Sequence, residues 1–226
     1  MKSLLVLSLF LSTSVMANQA DINTIETAYQ QFNGKALIEV ASKNEPYIKA
    51  FAHYRLSLIN NIHAKKADAI TSLNLTIKEL ESIVEVNKEN DEAWALLGQS
   101  YGLMISYNPT LAMTYGQKSF DAIEQAIQID PTNPRAMLFK GIISFNTPEN
   151  YGGDKLEAIT ALNTAIELFN DDRYSEHYWG EAEAYVWRGL SFQALHNIEE
   201  ANADFTKALE IEPHLEWAKF LLKNNT

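Results

Sequence analysis

The chain has 226 residues, a net charge of −11 and no cysteine. The lack of cysteine excludes a disulfide framework, a thiolate metal site and a lipid-modified cysteine. Basic residues are scattered along the chain, which argues against nucleic acid or anionic lipid as the main partner, because both require a concentrated positive patch.

The N-terminal segment has the pattern of a secretory signal. Lys2 precedes an apolar run from Leu4 to Val15, and a small-residue cleavage site follows at Ala17. The run is shorter than the ~20 apolar residues of a transmembrane helix. We therefore predict a signal peptide over 1–17 that is cleaved after Ala17. The mature chain is expected in the periplasm without membrane insertion, with extracellular release as the alternative.

The rest of the chain is predicted to be all-α. Apolar residues recur three and four positions apart from Ile22 onwards, and glycine and proline are scarce. Pro134 and Pro213 mark a helix start and a helix end. The predicted helices cover 22–32, 35–43, 47–62, 67–87, 91–107, 110–129, 134–145, 154–169, 178–195, 198–211 and 214–223.

An internal repeat appears in the middle and again near the end of this pattern. The first copy consists of Trp94, Leu97, Gly98 and Tyr101, followed by Ala126 and Pro131. The second copy consists of Tyr185, Gly189, Phe192, Ala201, Phe205, Ala208 and Pro213. Both resemble the tetratricopeptide repeat, a helix–turn–helix unit of 34 residues. Two weaker copies surround Ser57, where glycine is usual, and Gly141.

The resemblance implies an all-α solenoid of antiparallel helix pairs. One domain over 18–226 would hold about four repeats, a half-formed N-terminal pair over 22–43 and a capping helix over 214–223. The repeats are predicted at 47–88, 91–131, 134–170 and 178–213. The small and aromatic signature residues are expected in the contacts between helices, so they indicate packing and not a functional site.

The repeats are longer than the family unit. Ser57 and Gly98 are 41 residues apart, Gly98 and Gly141 are 43 apart, and Gly141 and Gly189 are 48 apart. Insertions in repeat proteins usually emerge on one face, often the binding face. We therefore expect binding residues in the loops at 145–153 and 171–179, which resemble loops of exported bacterial tetratricopeptide proteins, including accessory subunits of uptake systems.

No enzyme site is predicted. The segment Gly98–Gly102 reads G-x-S-x-G, but it lies within a helical pattern, whereas the hydrolase elbow follows a strand. The five histidines lack the spacing of a metal site, and the carboxylate pairs lack the apolar setting of an acid–base dyad. We therefore predict no catalytic residues, no cofactor and no metal.

A binding surface remains. The first helix of each pair lines the concave groove in tetratricopeptide stacks, which by resemblance places Phe51, Tyr54, Leu58, Gln99, Leu138, Ile142, Phe145, Val186 and Leu190 there. This groove is unusually apolar. It either accepts a peptide or is filled by the chain's own core.

Three functions are compared on this basis. The leading hypothesis is a non-catalytic periplasmic scaffold that holds a protein or peptide partner, or a second copy of itself. The alternative is a small-ligand-binding accessory of an uptake system, in which Tyr151, Tyr174, Tyr178 and Trp179 frame a pocket. An enzyme is the least favoured.

Overall fold

A computed structural model of the protein describes residues 19–172 and 177–225. This part of the chain forms eleven α-helices and contains no strand. The helices are α1 (19–30), α2 (Gly34–Lys43), α3 (Pro46–Ile62), α4 (Lys66–Val86), α5 (Asp91–Tyr107), α6 (Ala112–Ile129), α7 (Pro134–Asn146), α8 (Lys155–Asp172), α9 (Glu181–Ala194), α10 (Ile198–Ile211) and α11 (Glu216–Asn224). The predicted signal peptide lies outside the described residues.

The helices pack as a stack of pairs. Helix α3 packs on α4, α5 on α6, α7 on α8 and α9 on α10, and each pair contacts the next. The predicted all-α solenoid is therefore confirmed. None of the described helices has the length and apolarity needed to cross a bilayer.

Small residues allow the two helices of a pair to approach closely. A Cβ atom on Gly98 would lie 2.7 Å from the Ile123 side chain, and one on Gly141 would lie 2.5 Å from Cγ of Leu162. Gly189 faces Phe205 in the same way. The signature glycines thus pack against the partner helix, as the repeat pattern predicts.

One difference from the predicted helices precedes α9. This helix begins at Glu181 and not at residue 178, because Gly180 has a φ of 98° and interrupts the helical path. That left-handed conformation is accessible to glycine at little cost. Residues 177–180 consequently form a loop that turns towards the inside of the stack.

Both ends of the stack depart from the simple repeat. Ile22 and Ile25 on α1 are completely buried in the main core, so the N-terminal pair is an integral part of the fold. At the other end, α11 leaves Trp217 and Phe220 exposed, with 64% of Phe220 accessible. The predicted capping helix therefore presents apolar side chains as well as polar ones.

Replacing Gly189 by alanine should test the close contact between α9 and α10. The added Cβ would lie 2.5 Å from Cε1 of Phe205 and 3.1 Å from the Ala201 carbonyl oxygen. We expect the free energy of unfolding to fall by about 1–3 kcal/mol in urea titrations. Gly116→Ala is the matched control. Nothing lies within 4 Å of its added Cβ, and it should stabilise α6 by about 0.5–1 kcal/mol. Equal stabilities of the two variants would contradict the packing explanation.

Candidate functional site

The chain fills the concave side of its own stack. The loop 177–180 inserts Trp179, which is only 4% exposed. Its ring centroid lies 4.4 Å from that of Phe51 on α3 and 5.9 Å from that of Phe139 on α7. The tryptophan therefore joins an early repeat to a middle one, where the predicted groove would otherwise lie.

Helix α1 holds this loop in place. The backbone N–H of Tyr178 donates to Oε1 of Gln19 at 2.7 Å, and Nε2 of Gln19 donates to the Tyr178 carbonyl oxygen at 3.0 Å. The loop also brings His177 against the ring of Tyr47, with centroids 4.5 Å apart. Contacts from distant parts of the chain thus fix the position of the inserted tryptophan.

A buried arginine lies on each side of Trp179. On one side, Nε of Arg135 donates to Glu92 at 2.7 Å, and its Nη1 donates to Asp172 at 2.6 Å. Burial acts to raise the pKa of Glu92, but the Arg135 guanidinium outweighs it and holds this pKa below its usual range. Arg135 therefore ties α5, α7 and the end of α8 together as a fully paired charge.

On the other side, Arg55 connects the first and last repeats. Its Nε donates to Oε1 of Glu26 on α1 at 2.7 Å, and its Nη1 lies 2.6 Å from Oε1 of Glu183 on α9. The guanidinium carbon lies 4.6 Å from the ring centroid of Tyr29 and 5.2 Å from that of Trp179. Only 1% of the Arg55 side chain is exposed. Arg55 therefore joins α1, α3 and α9 through a buried contact, which we call the Arg55 seam.

The Arg55 cluster contains more acid than base. Glu26, Glu183 and Glu212 all interact electrostatically with Arg55. Burial, reinforced by Glu183 and Glu212 and opposed by Arg55, raises the pKa of Glu26 to about 7. Burial and the neighbouring Glu183 also raise the pKa of Glu212. The Arg55 cluster therefore contains three carboxyl groups for one guanidinium.

The candidate groove residues are mostly inaccessible in this arrangement. Those buried in the core are Phe51, Tyr54, Gln99, Leu138, Ile142, Trp179 and Val186, and those partly exposed are Leu58, Phe145, Tyr178 and Leu190. Tyr151 projects from a 3₁₀ turn with 75% of its surface accessible. Tyr174 lies outside the described residues. The described side chains predicted to frame a small-ligand pocket are therefore dispersed, with Trp179 in the core and Tyr151 in solvent.

A different concave site lies where the two ends of the stack meet. We call it the seam cleft. It has a volume of about 400 Å³ and is lined by Tyr29, Gln30, Phe32, Leu58, Asn61, Ile62, His214, Leu215, Glu216, Trp217 and Phe220. Of the predicted groove residues, only Leu58 belongs to this lining. The signal of this site in the sequence is the pair Trp217 and Phe220 on the terminal helix.

The described residues contain no group of three or more His, Asp or Glu side chains arranged for a metal ion. Ser100 of the G-x-S-x-G segment lies within α5, is completely buried, and donates to the Leu96 carbonyl oxygen at 2.7 Å. It therefore has the environment of a packed helical serine and not that of an exposed nucleophile.

Comparison with known proteins identifies the repeat. A family model described as "Tetratricopeptide repeat" matches residues 182–215, the α9–α10 pair and the turn that follows. The thermophilic TPR protein TTC0263 from Thermus thermophilus is 15% identical, with a TM-score of 0.61 over 92% of this chain and 98% of its own. The α9–α10 pair is therefore similar to a tetratricopeptide repeat, and the described stack has the fold of a tetratricopeptide-repeat protein. No curated protein sequence matches it significantly.

A second solved structure with a similar fold is the HusA haemophore from Porphyromonas gingivalis. It is 17% identical, with a TM-score of 0.61 over 78% of this chain and 92% of that protein. At this level of identity the similarity concerns the fold and not the ligand.

Arg55→Met should strongly destabilise the protein. Removing the cation leaves Glu26 and Glu183 buried without their charge partner. We expect the free energy of unfolding to fall by about 3–5 kcal/mol in denaturant titrations. Lys43→Met, which removes the exposed pair with Glu39, should leave it almost unchanged. Similar losses in both variants would show that the Arg55 contact does not hold the seam.

Glu26→Gln should become the more stable protein as the pH rises. The folded carboxyl has a pKa of about 7, whereas an unfolded glutamate titrates near ~4.3. Between these values the folded state binds the extra proton, so the unfolding free energy of the parent falls as the pH rises through this window. Melting curves at pH 5 and pH 8 should show near-equality at pH 5 and an advantage for Glu26→Gln at pH 8. Glu89→Gln, at an exposed position, is the control, and an equal pH dependence of all three proteins would contradict the assignment.

Proposed function

We propose that this protein is a non-catalytic periplasmic scaffold that holds a protein partner at the seam cleft. The tetratricopeptide fold generally supports protein–protein interaction, and its best-known binding face is concave. Here Trp179 occupies that face with its own ring. A partner must therefore bind elsewhere, and the seam cleft offers the exposed apolar area that a docking site requires.

One observation carries this proposal. Four large apolar side chains remain accessible around this cleft, namely Phe32, Ile62, Trp217 and Phe220, with Phe220 and Ile62 more than half exposed. A cleft of this kind suits the apolar side chains of a partner, since aromatic anchors in a concave pocket dominate the binding energy of many interfaces.

The proposed location is supported by the N-terminal pattern. Lys2, the apolar run that follows and the small residue Ala17 have the order of a secretory signal. The proposed absence of catalysis is supported by the packing of the serine-hydrolase-like motif into α5.

Binding of a small apolar ligand is the second candidate. The seam cleft has a volume of about 400 Å³ and a mainly aromatic and aliphatic lining, which lies within the usual size range of small-molecule sites. HusA, one of the proteins with a similar fold, is named a haemophore. A metabolite panel that includes a porphyrin should therefore accompany the search for a protein partner.

The partner can be sought by cross-linking and capture from a periplasmic extract of the native cell. We expect the parent to capture a discrete protein and Phe220→Ser to lose most of it, because the truncated side chain no longer fills the cleft. Met113→Ser is the matched control, since Met113 is 96% exposed and lies outside the cleft lining.

Equal capture by the parent and by both variants would remove the seam cleft from the proposal. Loss of capture in Met113→Ser as well would point to a general surface effect. A ligand-dependent rise in melting temperature that Phe220→Ser abolishes, without any captured protein, would favour the small-ligand alternative.

A further inference from the structure

We infer that the seam cleft recognises an apolar peptide segment that carries a lysine or arginine side chain, so that the partner supplies positive charge to a cleft whose lining has no lysine or arginine. This inference deepens the proposed function and depends on it. It rests on the apolar lining of the cleft and on the charged residues that contact this lining.

Among the described residues, those that line the cleft include no lysine or arginine. The polar members of the lining are Gln30, Asn61, His214 and Glu216, and only the last is an acid. Glu216 pairs with Lys219 at 2.7 Å, one turn further along α11. The walls are thus apolar with a weakly acidic rim.

Two residues of the cleft lining contact members of the Arg55 cluster. Gln30 lines the cleft and donates from Nε2 to Oε2 of Glu212 at 3.1 Å. Tyr29 also lines the cleft, and its ring centroid lies 4.6 Å from the guanidinium carbon of Arg55. Gln30 thus links the lining of the cleft to Glu212, which interacts electrostatically with Glu183 and Arg55.

The charges of the Arg55 cluster are not balanced within the described part of the chain. The carboxyl groups of Glu26, Glu183 and Glu212 interact with one guanidinium, that of Arg55, whereas the exposed Glu216 is paired with Lys219. Partly buried carboxylates that lack a counter-charge destabilise the folded state, and a cation placed beside them relieves this cost. Charge complementarity thus favours a cationic side chain over a neutral or acidic one.

The apolar walls determine the rest of the ligand. Phe32, which follows α1, and Ile62 on α3 contribute to the lining of the cleft together with Trp217 and Phe220 on α11. A long basic side chain suits this geometry, because its methylene stem packs on aromatic walls while its charged end reaches a polar group. Neighbouring leucine-type side chains of the same peptide would cover the exposed rings.

The test uses two blocked peptides of about a dozen leucine, serine and glutamine residues. One carries a central lysine and the other carries Nε-acetyl-lysine at the same position, which keeps the stem and removes the charge. Fluorescence anisotropy with the full mature protein should show the lysine peptide binding about tenfold more tightly. Glu212→Gln should reduce this preference to less than about twofold, and Phe220→Ser should weaken both peptides while Met113→Ser does not.

The outcomes separate this inference from the proposed function. Equal binding of the two peptides, with loss in Phe220→Ser, would retain the cleft as a docking site and overturn the cationic specificity. If Phe220→Ser leaves the affinity for both peptides unchanged, the peptides do not bind in the seam cleft, and the inference is overturned. Sedimentation of the same samples provides a further check, because a dimer abolished by Phe220→Ser would identify a second copy of the chain as the occupant and overturn the inference.

Discussion

The insertion of Trp179 into the concave face is the contact on which the rest of the structure depends. Its ring packs against Phe51 and Phe139, and the guanidinium carbons of Arg55 and Arg135 lie 5.2 and 6.0 Å from its centroid. Aromatic surface of this size contributes strongly to a core. The helices that it joins belong to different repeats. This one side chain therefore adds contacts between distant repeats to a stack in which repeats otherwise contact their nearest neighbours.

The two arginines beside it differ in how well their charge is balanced. Arg135 is matched by Glu92 and Asp172, and several hydrogen bonds fix its geometry. Arg55 is surrounded by an excess of carboxylates, so its environment is sensitive to protons and to added cations. Buried ion pairs stabilise only when partners and hydrogen bonds are complete. The Arg55 seam is therefore the part of the fold whose energy solution conditions and ligands can change.

The packing of the stack limits where a binding partner could contact the protein. A filled concave face removes the usual groove, and accessible apolar residues collect instead at the junction of α1, α3 and α11. A ligand there would contact both ends of the stack at once. Binding at this junction would therefore also stabilise the contact between the two ends of the stack, since any ligand specific for the folded state shifts the folding equilibrium towards that state.

The sequence by itself determined the helix pairs. Gly98, Gly141 and Gly189 mark contacts between helices adjacent in the chain, and such local packing follows from residue size and spacing. Only the tertiary structure decided the interior of the stack and the candidate site. Gln19 and Tyr178 are 159 positions apart, and Gln30 and Glu212 are 182 apart. No periodicity encodes such distant pairs, because they depend on the accumulated geometry of every intervening repeat.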